Sequence, residues 1–397
     1  MGSFGRKALF LIKLFPVQIT SKLPQVGTTI FTVMSNLARN HGAINLSQGF
    51  PNFDCSPRLK ALVQHHMEQG ANQYAPMPGS PELRTAIIDK VERLYGWRPN
   101  ADTEITITAG ATQALFTAIT AFVHPGDEVI LLEPAYDSYG PAVELCGGKV
   151  VPYQLRAPDY RVDWEAFRQL VSPRTRMIVI NTPHNPTGSL LEREDLEQLQ
   201  ALTRGTDILV LSDEVYEHLI YDGAEHQSIL RYPELWQRSM ATYSFGKTFH
   251  NTGWKLGYCL GPEPLMREFR RVHQFNVFSV HHPTQRAVAD FLQTPEEYLS
   301  LGNFYQRKRD HFLRSMEGSR FQPLACGGTY FQLFDYSAIS QEKDTDFAVW
   351  LTEEHGVATI PVSPFYSAAE PEAKVVRMCF AKTEEVLEAA GEVLRGV

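Results

Sequence analysis

The sequence predicts an α/β fold: a large three-layer domain around a mostly parallel sheet, joined to a smaller α+β domain. Three observations lead to this prediction. The chain has 397 residues, more than one hydrophobic core usually spans. Between about residues 104 and 261, short β-branched apolar runs alternate with amphipathic stretches, which is typical of a parallel sheet covered by helices on both faces. The C-terminal part lacks that alternation. We therefore expect a large domain over residues 48–281 and a small domain formed by residues 1–47 with 282–397.

The predicted elements follow one another in chain order. Each strand is a short apolar run, and each helix carries apolar residues three and four positions apart. In the large domain, strands are predicted at 104–108, 127–133, 149–155, 176–181, 207–212, 239–244 and 255–260, with helices at 111–123 and 192–204. In the small domain, strands are predicted at 329–336, 357–360 and 375–380, with helices near 344–355 and from about 383.

The composition is that of a folded, mildly acidic protein. Hydrophobic residues make up 43% and charged residues 21%, which excludes a disordered chain. The 37 basic and 45 acidic residues give a net charge of −8, which argues against a nucleic-acid partner because such binding needs a basic face. No apolar run reaches the roughly 20 residues that cross a bilayer, so we expect no membrane partner.

The cysteines and the N-terminus bear on the compartment. The five cysteines are dispersed, odd in number and without a CxxC pair, so we expect reduced thiols in a cytoplasmic enzyme and neither a disulfide framework nor a metal site. Arg6 and Lys7 precede an apolar run as in a signal peptide, but Lys13 interrupts that run. We interpret this segment as an unstructured or vector-derived leader.

The first candidate for chemistry is the lysine of SFGKT (244–248), which follows a predicted strand. The segment ends in GKT like a phosphate-binding loop, but Tyr243 and Phe245 are bulky where such a loop needs glycine. Burial at the end of a strand would lower the pKa of Lys247 and make it a nucleophile toward carbonyls. An ordinary surface lysine in a turn explains the segment as well.

Two further motifs follow predicted strands. SDEVY (212–216) delivers Asp213 and Tyr216 at the carboxyl end of a strand, where ligands bind in open α/β sheets. Metal ligation or a helix cap would explain the acidic pair Asp213-Glu214 equally well. NTPHNPTG (181–188) contains two X-Pro steps, which restrict the loop and can hold Asn185 in one orientation.

Two more positions suggest anion binding. Small residues precede the predicted helix, whose first residues are Ala111 and Thr112. They leave the N-terminus of this helix open to an anion such as phosphate. A plain tight turn is an equal alternative. Arg377 lies inside an apolar strand, and buried arginine is rare without a carboxylate or phosphate partner. An internal salt bridge is the alternative for this arginine.

Together, in this order and spacing, the motifs resemble the class I (fold type I) aminotransferases, which use pyridoxal 5′-phosphate. NTPHNPTG, SDEVY and SFGKTFHNTGWKLGY are similar to that family's signatures almost position for position. The resemblance runs from about Gly27 to the C-terminus. Within the family, INLSQGFPNFD (44–54), GANQYAPMPGSPELR (70–84) and HGVATIPVSPFY (355–366) look most like the branch that contains the bacterial methionine aminotransferases and the kynurenine aminotransferases.

The resemblance implies a set of residues around the cofactor, with Lys247, Asp213 and Tyr216 as the catalytic ones. The lysine matching Lys247 bonds covalently to the cofactor and later moves the Cα proton. Asp213 matches the aspartate that keeps the pyridine nitrogen protonated, and Tyr216 and Asn185 match residues that hydrogen-bond to the ring's phenolic oxygen. The other implied contacts are a stacking ring, Tyr136, and a group around the phosphate: Ala111, Thr112, Ser244, Lys255 and Tyr74.

The resemblance also implies how substrate and subunits meet. Arg377 matches the arginine that binds the substrate's α-carboxylate, with Asn185 and the backbone of Gly49 beside it. Tyr74 matches a tyrosine that reaches the phosphate of the other subunit, so we expect a homodimer with shared active sites. The segments expected to line the side-chain pocket are apolar or aromatic and contain no Arg or Lys: Ile30-Phe31, Phe50, Tyr74 and Phe278-Ser279-Val280.

The resemblance therefore implies an aminotransferase that moves the amino group of methionine, or of another large neutral or aromatic amino acid, to a 2-oxo acid. The kynurenine branch carries a tryptophan near the position of Phe31, which makes very large substrates less expected. The alternative on the same cofactor is a β-lyase that cleaves C–S bonds of cysteine derivatives. A non-catalytic regulatory module is disfavoured because Lys247 is intact.

Overall fold

The computed structural model describes residues 18–367 and 373–397 of the chain. The predicted leader lies largely outside these residues, the first of which is Gln18. Within the described ranges, no helix is both long enough and apolar enough to cross a membrane.

Strands in the described residues form three sheets. Their bounds are β1 (Ile44–Asn45), β2 (Ile105–Thr108), β3 (Glu128–Glu133), β4 (Lys149–Gln154), β5 (Thr175–Asn181), β6 (Leu209–Asp213), β7 (Ser239–Ser244), β8 (Gly257–Leu260), β9 (Gln322–Pro323), β10 (Phe331–Asp335), β11 (Val357–Ala358), β12 (Ile360–Pro361) and β13 (Val375–Cys379). The large sheet has the order β2-β8-β7-β6-β5-β3-β4. Its strands run parallel except β8, which is antiparallel to both of its neighbours. The predicted mostly parallel sheet is confirmed.

Some of the helices cover both faces of this sheet, and others pack with the small strands near the two ends of the chain. Their bounds are α1 (Ile30–His41), α2 (Pro57–Glu68), α3 (Pro81–Tyr95), α4 (Ala111–Phe122), α5 (Tyr139–Leu145), α6 (Trp164–Arg168), α7 (Arg193–Thr203), α8 (Pro233–Trp236), α9 (Phe245–Thr248), α10 (Glu263–Asn276), α11 (His282–Phe291), α12 (Glu296–Leu299), α13 (Leu301–Ser315), α14 (Asp344–His355) and α15 (Glu384–Arg395). Helices α1, α14 and α15 are among those that pack with the small strands. Alternate residues of one strand enter different cores: Ile178 packs in one and Val179 in the other. Because successive strand residues point to opposite faces, both faces are buried and the three-layer prediction is confirmed.

The C-terminal part forms a smaller sheet with the order β12-β13-β10-β9, in which the paired strands are antiparallel. Arg377 lies in the middle of β13, between Leu333 of β10 and Ile360 of β12. Near the N-terminus, β1 pairs in parallel with β11, and α1 packs on α14. The N-terminal segment therefore lies against the C-terminal part of the chain, while the exact domain division stays a prediction.

Candidate active site

The motifs that the sequence singled out meet at one edge of the large sheet. β5, β6 and β7 are parallel neighbours, so their carboxyl ends lie side by side. Asp213 is the last residue of β6, and Ser244 is the last residue of β7. Lys247 follows in the short helix α9, one turn beyond that strand end.

A cavity at this edge, called the inner cavity here, brings together nine of the ten predicted cofactor residues. Tyr74 is the tenth and does not line it. The predicted residues in its wall are Ala111, Thr112, Tyr136, Asn185, Asp213, Tyr216, Ser244, Lys247 and Lys255. The wall also contains residues that the sequence did not single out, namely Gly110, Leu115, Asn181, Val215, Gly246, Thr252 and Leu256.

One end of the inner cavity is suited to an anion. Helix α4 begins at Ala111 after Gly110, whose φ of 79° is in the left-handed region that glycine tolerates, and the α4 N-cap has no side-chain hydrogen bond. A Cβ on Gly110 would lie 3.4 Å from Nζ of Lys255, so this amine stands close to the helix start. A helix N-terminus with free N–H groups and an adjacent ammonium is a typical phosphate site.

Asp213 stands in another part of the inner cavity as a buried carboxylate. Burial raises its pKa to about 6, while a hydrogen bond from the Tyr139 hydroxyl acts in the opposite direction. That hydroxyl donates to Oδ2 of Asp213 at 2.6 Å. Tyr139 was not predicted, and only its position three residues after Tyr136 in a helix start could have suggested it.

Lys247 is partly buried and lies near Asp213 and Tyr330. Burial lowers the pKa of its amine to about 8, and the neighbouring cations Arg377 and Lys255 act in the same direction. Nζ donates to the hydroxyl of Tyr330 at 2.8 Å and to the carbonyl of Gly49 at 3.2 Å. With this pKa, about a tenth of the amine is uncharged and nucleophilic at neutral pH, far more than for an ordinary lysine, which is the direction that the sequence predicted.

Asn185 connects the large sheet to Arg377. Its Oδ1 accepts a hydrogen bond from Nη1 of Arg377 at 2.8 Å. Its backbone N–H donates to Oδ1 of Asn181, and the Asn181 amide donates to the carbonyl of Asp213, both at 2.8 Å. Asn181 thus fixes the loop that carries Asn185, and so fixes the position of Asn185.

A second cavity, called the outer cavity here, adjoins the first. The two share Tyr136, Asn185, Tyr216 and Lys247. The remaining wall of the outer cavity is formed by Phe31, Thr32, Ser35, Asn36, Arg39, Gln48, Gly49, Phe50, Phe331 and Arg377. Lys247 therefore lines both spaces, at their junction.

Arg377 is 1% exposed and has no acidic partner among the described residues. Its guanidinium lies 3.8 Å from the ring centroid of Phe331 and 5.2 Å from that of Phe31, and burial lowers its pKa to about 10. Its Nε is buried and has no hydrogen-bond partner in the described part of the chain. The internal salt bridge considered from the sequence is therefore not observed there.

The segments predicted to line the side-chain pocket lie in two different places on this subunit. Phe31 and Phe50 line the outer cavity, but Tyr74 and Ser279-Val280 line a separate surface depression. Tyr74 is 80% exposed and packs edge-on against Phe278 at 5.4 Å. The outer cavity also contains a second arginine, Arg39, which the sequence analysis missed. Arg39 is exposed on the last turn of α1 and donates to Oδ1 of Asn36 at 2.9 Å.

Comparison with known proteins finds relatives over nearly the whole chain. The family described as aminotransferase class I and II matches residues 41–394. The methionine aminotransferase of Escherichia coli is 53% identical over 96% of this chain and 98% of that protein. Human kynurenine–oxoglutarate transaminase 1 is 34% identical, covering 90% of this chain and 93% of that protein.

Solved structures give the same picture. A crystal structure from Escherichia coli, described with a methionine aminotransferase function, has a TM-score of 0.94 and 53% identity, covering 96% of this chain and all of that one. N-succinyldiaminopimelate aminotransferase of Mycobacterium tuberculosis has a TM-score of 0.91 and 36% identity, also covering 96% of this chain and all of that one.

Proposed function

Because the chain belongs to the class I and II aminotransferases, we propose that it moves the amino group of methionine, or of another large neutral or aromatic amino acid, to a 2-oxo acid. Enzymes of this family work with pyridoxal 5′-phosphate. The similarity to the methionine aminotransferase supports the choice of substrate, and the aromatic wall around Phe31 and Phe331 suits an apolar side chain.

Features of the inner cavity fit this cofactor. The open start of α4 beside Lys255 provides donors and positive charge for a phosphate, and Ser244 lies in the same wall. Asp213 offers a carboxylate for a ring nitrogen, and Tyr136 offers an aromatic face. Tyr216 and Asn185 present polar groups for the ring oxygen.

When bound, the cofactor supplies an electron-accepting ring that stabilises the negative charge left when the Cα proton departs. We assign the remaining work to residues of this chain. Asp213 holds a proton at the ring nitrogen, and Tyr216 and Asn185 orient the ring's oxygen. Lys247 binds the cofactor through its uncharged amine and, once released, takes up and returns the proton at Nζ.

Arg377 and Gly49 hold the substrate's carboxyl end. The guanidinium is already fixed by Asn185 and packed against Phe331, and its unpartnered Nε leaves donor capacity for a carboxylate. The pairing would also offset the burial of an uncompensated charge.

The finer assembly and location are part of the same proposal. We infer a homodimer with shared active sites, because Tyr74 projects from the surface of this subunit instead of reaching its own inner cavity. We also infer a cytoplasmic location, since all five cysteines are free thiols.

The observation that carries the proposal is the position of Lys247. It is the amine that lines both cavities, one furnished for a phosphate-bearing aromatic cofactor and the other for a carboxylate beside an apolar wall. A residue that bonds to the cofactor and also handles the substrate's proton must stand at such a junction.

A trapping experiment tests this assignment. Purified protein supplied with pyridoxal 5′-phosphate is treated with borohydride, and the modified peptide is sequenced. We expect the cofactor on Lys247, and we expect Lys247→Ala to lose nearly all turnover while it still binds the cofactor through the phosphate site. Recovery of the adduct on Lys255 would contradict the assignment.

The reaction itself is tested with a panel of amino acids and 2-oxo acids. We expect the 2-oxo acid derived from methionine to form in step with the amino acid derived from the acceptor, without ammonia. Ammonia released together with pyruvate from a cysteine conjugate would instead support the β-lyase alternative.

A further inference from the structure

Tyr330 is a buried tyrosine that contacts the reactive lysine. It lies directly before β10 and is fully buried. Its hydroxyl is 2.8 Å from Nζ of Lys247 and 2.6 Å from the carbonyl oxygen of Gly49. Nζ itself is 3.2 Å from that same carbonyl. The three polar atoms therefore form a closed triangle at the junction of the two cavities.

The donors and acceptors of this triangle can be assigned. A carbonyl only accepts, so the single hydroxyl proton of Tyr330 goes to Gly49. The tyrosine oxygen then accepts from Lys247, and the Gly49 carbonyl accepts a second N–H from the same amine. An uncharged amine has two N–H groups and one lone pair, so with both N–H groups engaged its lone pair faces the open side, where the cavities meet.

The backbone around Tyr330 is held firmly in an unusual conformation. Thr329 has a φ of 69°, which is rare for a β-branched residue. Its N–H donates to the carbonyl of Leu219 at 3.1 Å, and its carbonyl accepts from the buried hydroxyl of Tyr221. A Cβ on Gly328 would come within 2.8 Å of the Leu219 carbonyl, so this segment packs closely. Such strained residues persist where surrounding contacts fix them, often at functional sites.

The ring of Tyr330 is equally restrained. It meets Tyr216 edge-on with centroids 5.3 Å apart and Phe331 at 4.9 Å. Burial also keeps the pKa of its hydroxyl well above the ordinary value, so the group remains protonated at working pH. The hydroxyl therefore has a fixed position and a fixed protonation state.

We propose that Tyr330 is a further catalytic residue, which together with the Gly49 carbonyl holds the amine of Lys247 whenever it is not bonded to the cofactor and aims its lone pair at the substrate. This inference rests on the proposed role of Lys247 as the base. When the Cα–H bond breaks, the proton forms a third N–H bond on Nζ, and the electron pair stays with the substrate, where a bound cofactor would stabilise it. The resulting ammonium still has its other two N–H groups engaged, so the third can be returned to the substrate.

The test uses Tyr330→Phe, which removes only the hydroxyl and keeps the ring. With methionine as substrate, we expect kcat to fall by about 10- to 100-fold, the effect of losing one hydrogen bond to a charged group. KM should change little, because Tyr330 lines neither cavity. The kinetic isotope effect with α-deuterated methionine should rise, since proton transfer becomes slower than the other steps.

A second readout needs no substrate. Pyridoxal 5′-phosphate is added to apoenzyme, and the covalent link to Lys247 is followed by absorbance. We expect slower formation of the link in Tyr330→Phe, because the amine is no longer oriented. If the wild-type protein proved inactive on methionine, the proposed substrate would fail, but this experiment would still test Tyr330.

Tyr305→Phe is the matched control. Tyr305 is also fully buried, its ring lies 5.7 Å from that of Tyr330, and its hydroxyl has no hydrogen-bond partner among the described residues. We expect this variant to retain the wild-type kcat, isotope effect and rate of cofactor capture. A Tyr330→Phe variant that matches the control in all three measurements overturns the proposal. So does a variant whose only change is a lower melting temperature.

Discussion

At the scale of single residues, burial moves the pKa values of the ionisable groups Asp213, Lys247 and Arg377 toward the neutral form, and neighbouring groups partly oppose this. Asp213 shows this most clearly. Its pKa is raised to about 6 by burial and would be higher without the hydrogen bond from Tyr139. A carboxylate that must hold a proton at the ring nitrogen works only while it is ionised, so Tyr139 extends the useful pH range downward.

Tyr139→Phe tests that statement. Removing the donor raises the pKa of Asp213 further, so less of the carboxylate is ionised at a given pH. We expect the acidic limb of the kcat–pH profile to move to higher pH, with kcat near pH 8 changed much less.

Asp213→Asn serves as the reference variant, because it removes the charge at every pH. Its kcat should fall by at least about a hundredfold at all pH values, beyond the loss of cofactor affinity. An acidic limb that stays in place in Tyr139→Phe would show that another group sets it.

At the scale of elements, helix α1 decides what the outer cavity offers a substrate. Phe31, Ser35 and Arg39 are four residues apart and lie along one face of the helix. Phe31 stands near Arg377, whereas Arg39 lies about 12 Å further along the axis. A substrate held by Arg377 therefore meets aromatic rings before it meets the second cation.

This geometry predicts the substrate preference. Burying the methionine side chain gains roughly 1.5–3 kcal/mol, whereas the short side chain of aspartate would place a carboxylate among aromatic rings. We expect kcat/KM for methionine to exceed that for aspartate by about a hundredfold or more, measured with the same acceptor. Comparable kcat/KM values for methionine and aspartate would contradict this prediction. If the value for aspartate then fell in Arg39→Gln, Arg39 would be identified as the partner of the second carboxylate.

The strands of the large domain were largely predictable, because each is a short local pattern, whereas only α4 and α7 of its helices were predicted. β6 ends at Asp213, one residue beyond its predicted end at Ser212, and α4 begins at Ala111 as predicted. The antiparallel direction of β8 was not predictable, since a short apolar run looks the same in either direction. Its predicted start at 255 was also wrong, because Lys255 adopts a left-handed conformation with φ 53° and the strand begins two residues later.

What the sequence did not reveal are contacts between distant positions. Tyr330 touches Gly49 across 281 positions of the chain, and neither residue type marks the other. Arg39 belongs to an exposed helix turn that has no distinctive motif. Local patterns predict helices and strands, whereas contacts between such distant side chains depend on how the two sheets pack against each other.

At the scale of the whole molecule, two exposed aromatic residues bear on the proposed homodimer. Tyr74 and Phe275 are 80% and 87% exposed, which is unusual for large aromatic residues in a well-packed subunit. Tyr74 is also the one predicted phosphate contact outside the inner cavity.

Mixing two inactive variants tests the shared-site homodimer. A Tyr74→Ala subunit paired with a Lys247→Ala subunit would contain one site with both natural residues, because a two-fold dimer exchanges equivalent surfaces. After subunit exchange, activity is assayed at constant total protein, and we expect part of the activity to return. Absence of recovery, once hybrid dimers are confirmed, would argue for self-contained sites.

The packing of α11 also refines the proposed domain division. α11 packs on α2 and α3, which belong to the predicted large domain. We therefore propose that the boundary between the domains falls after Phe291, later in the chain than residue 281.

The low exposure of Lys247 and Asp213 affects the stability of the protein without its cofactor, and through it the amount of protein in a cell. Because the pKa of Lys247 falls from 10.5 to about 8 in the fold, its charge begins to cost stability of the unliganded protein as the pH drops below 10.5, and the cost is complete below about pH 8. Because the pKa of Asp213 rises from 3.8 to about 6, the cost of its charge begins above pH 3.8 and is complete above about pH 6. A ligand that supplies opposite charge offsets both effects, and at a hundred times its Kd it adds roughly 2.7 kcal/mol of mass-action stabilisation. The unliganded enzyme is then the form that unfolds and is degraded first. Its cellular abundance would follow the supply of vitamin-derived cofactor without any dedicated regulator.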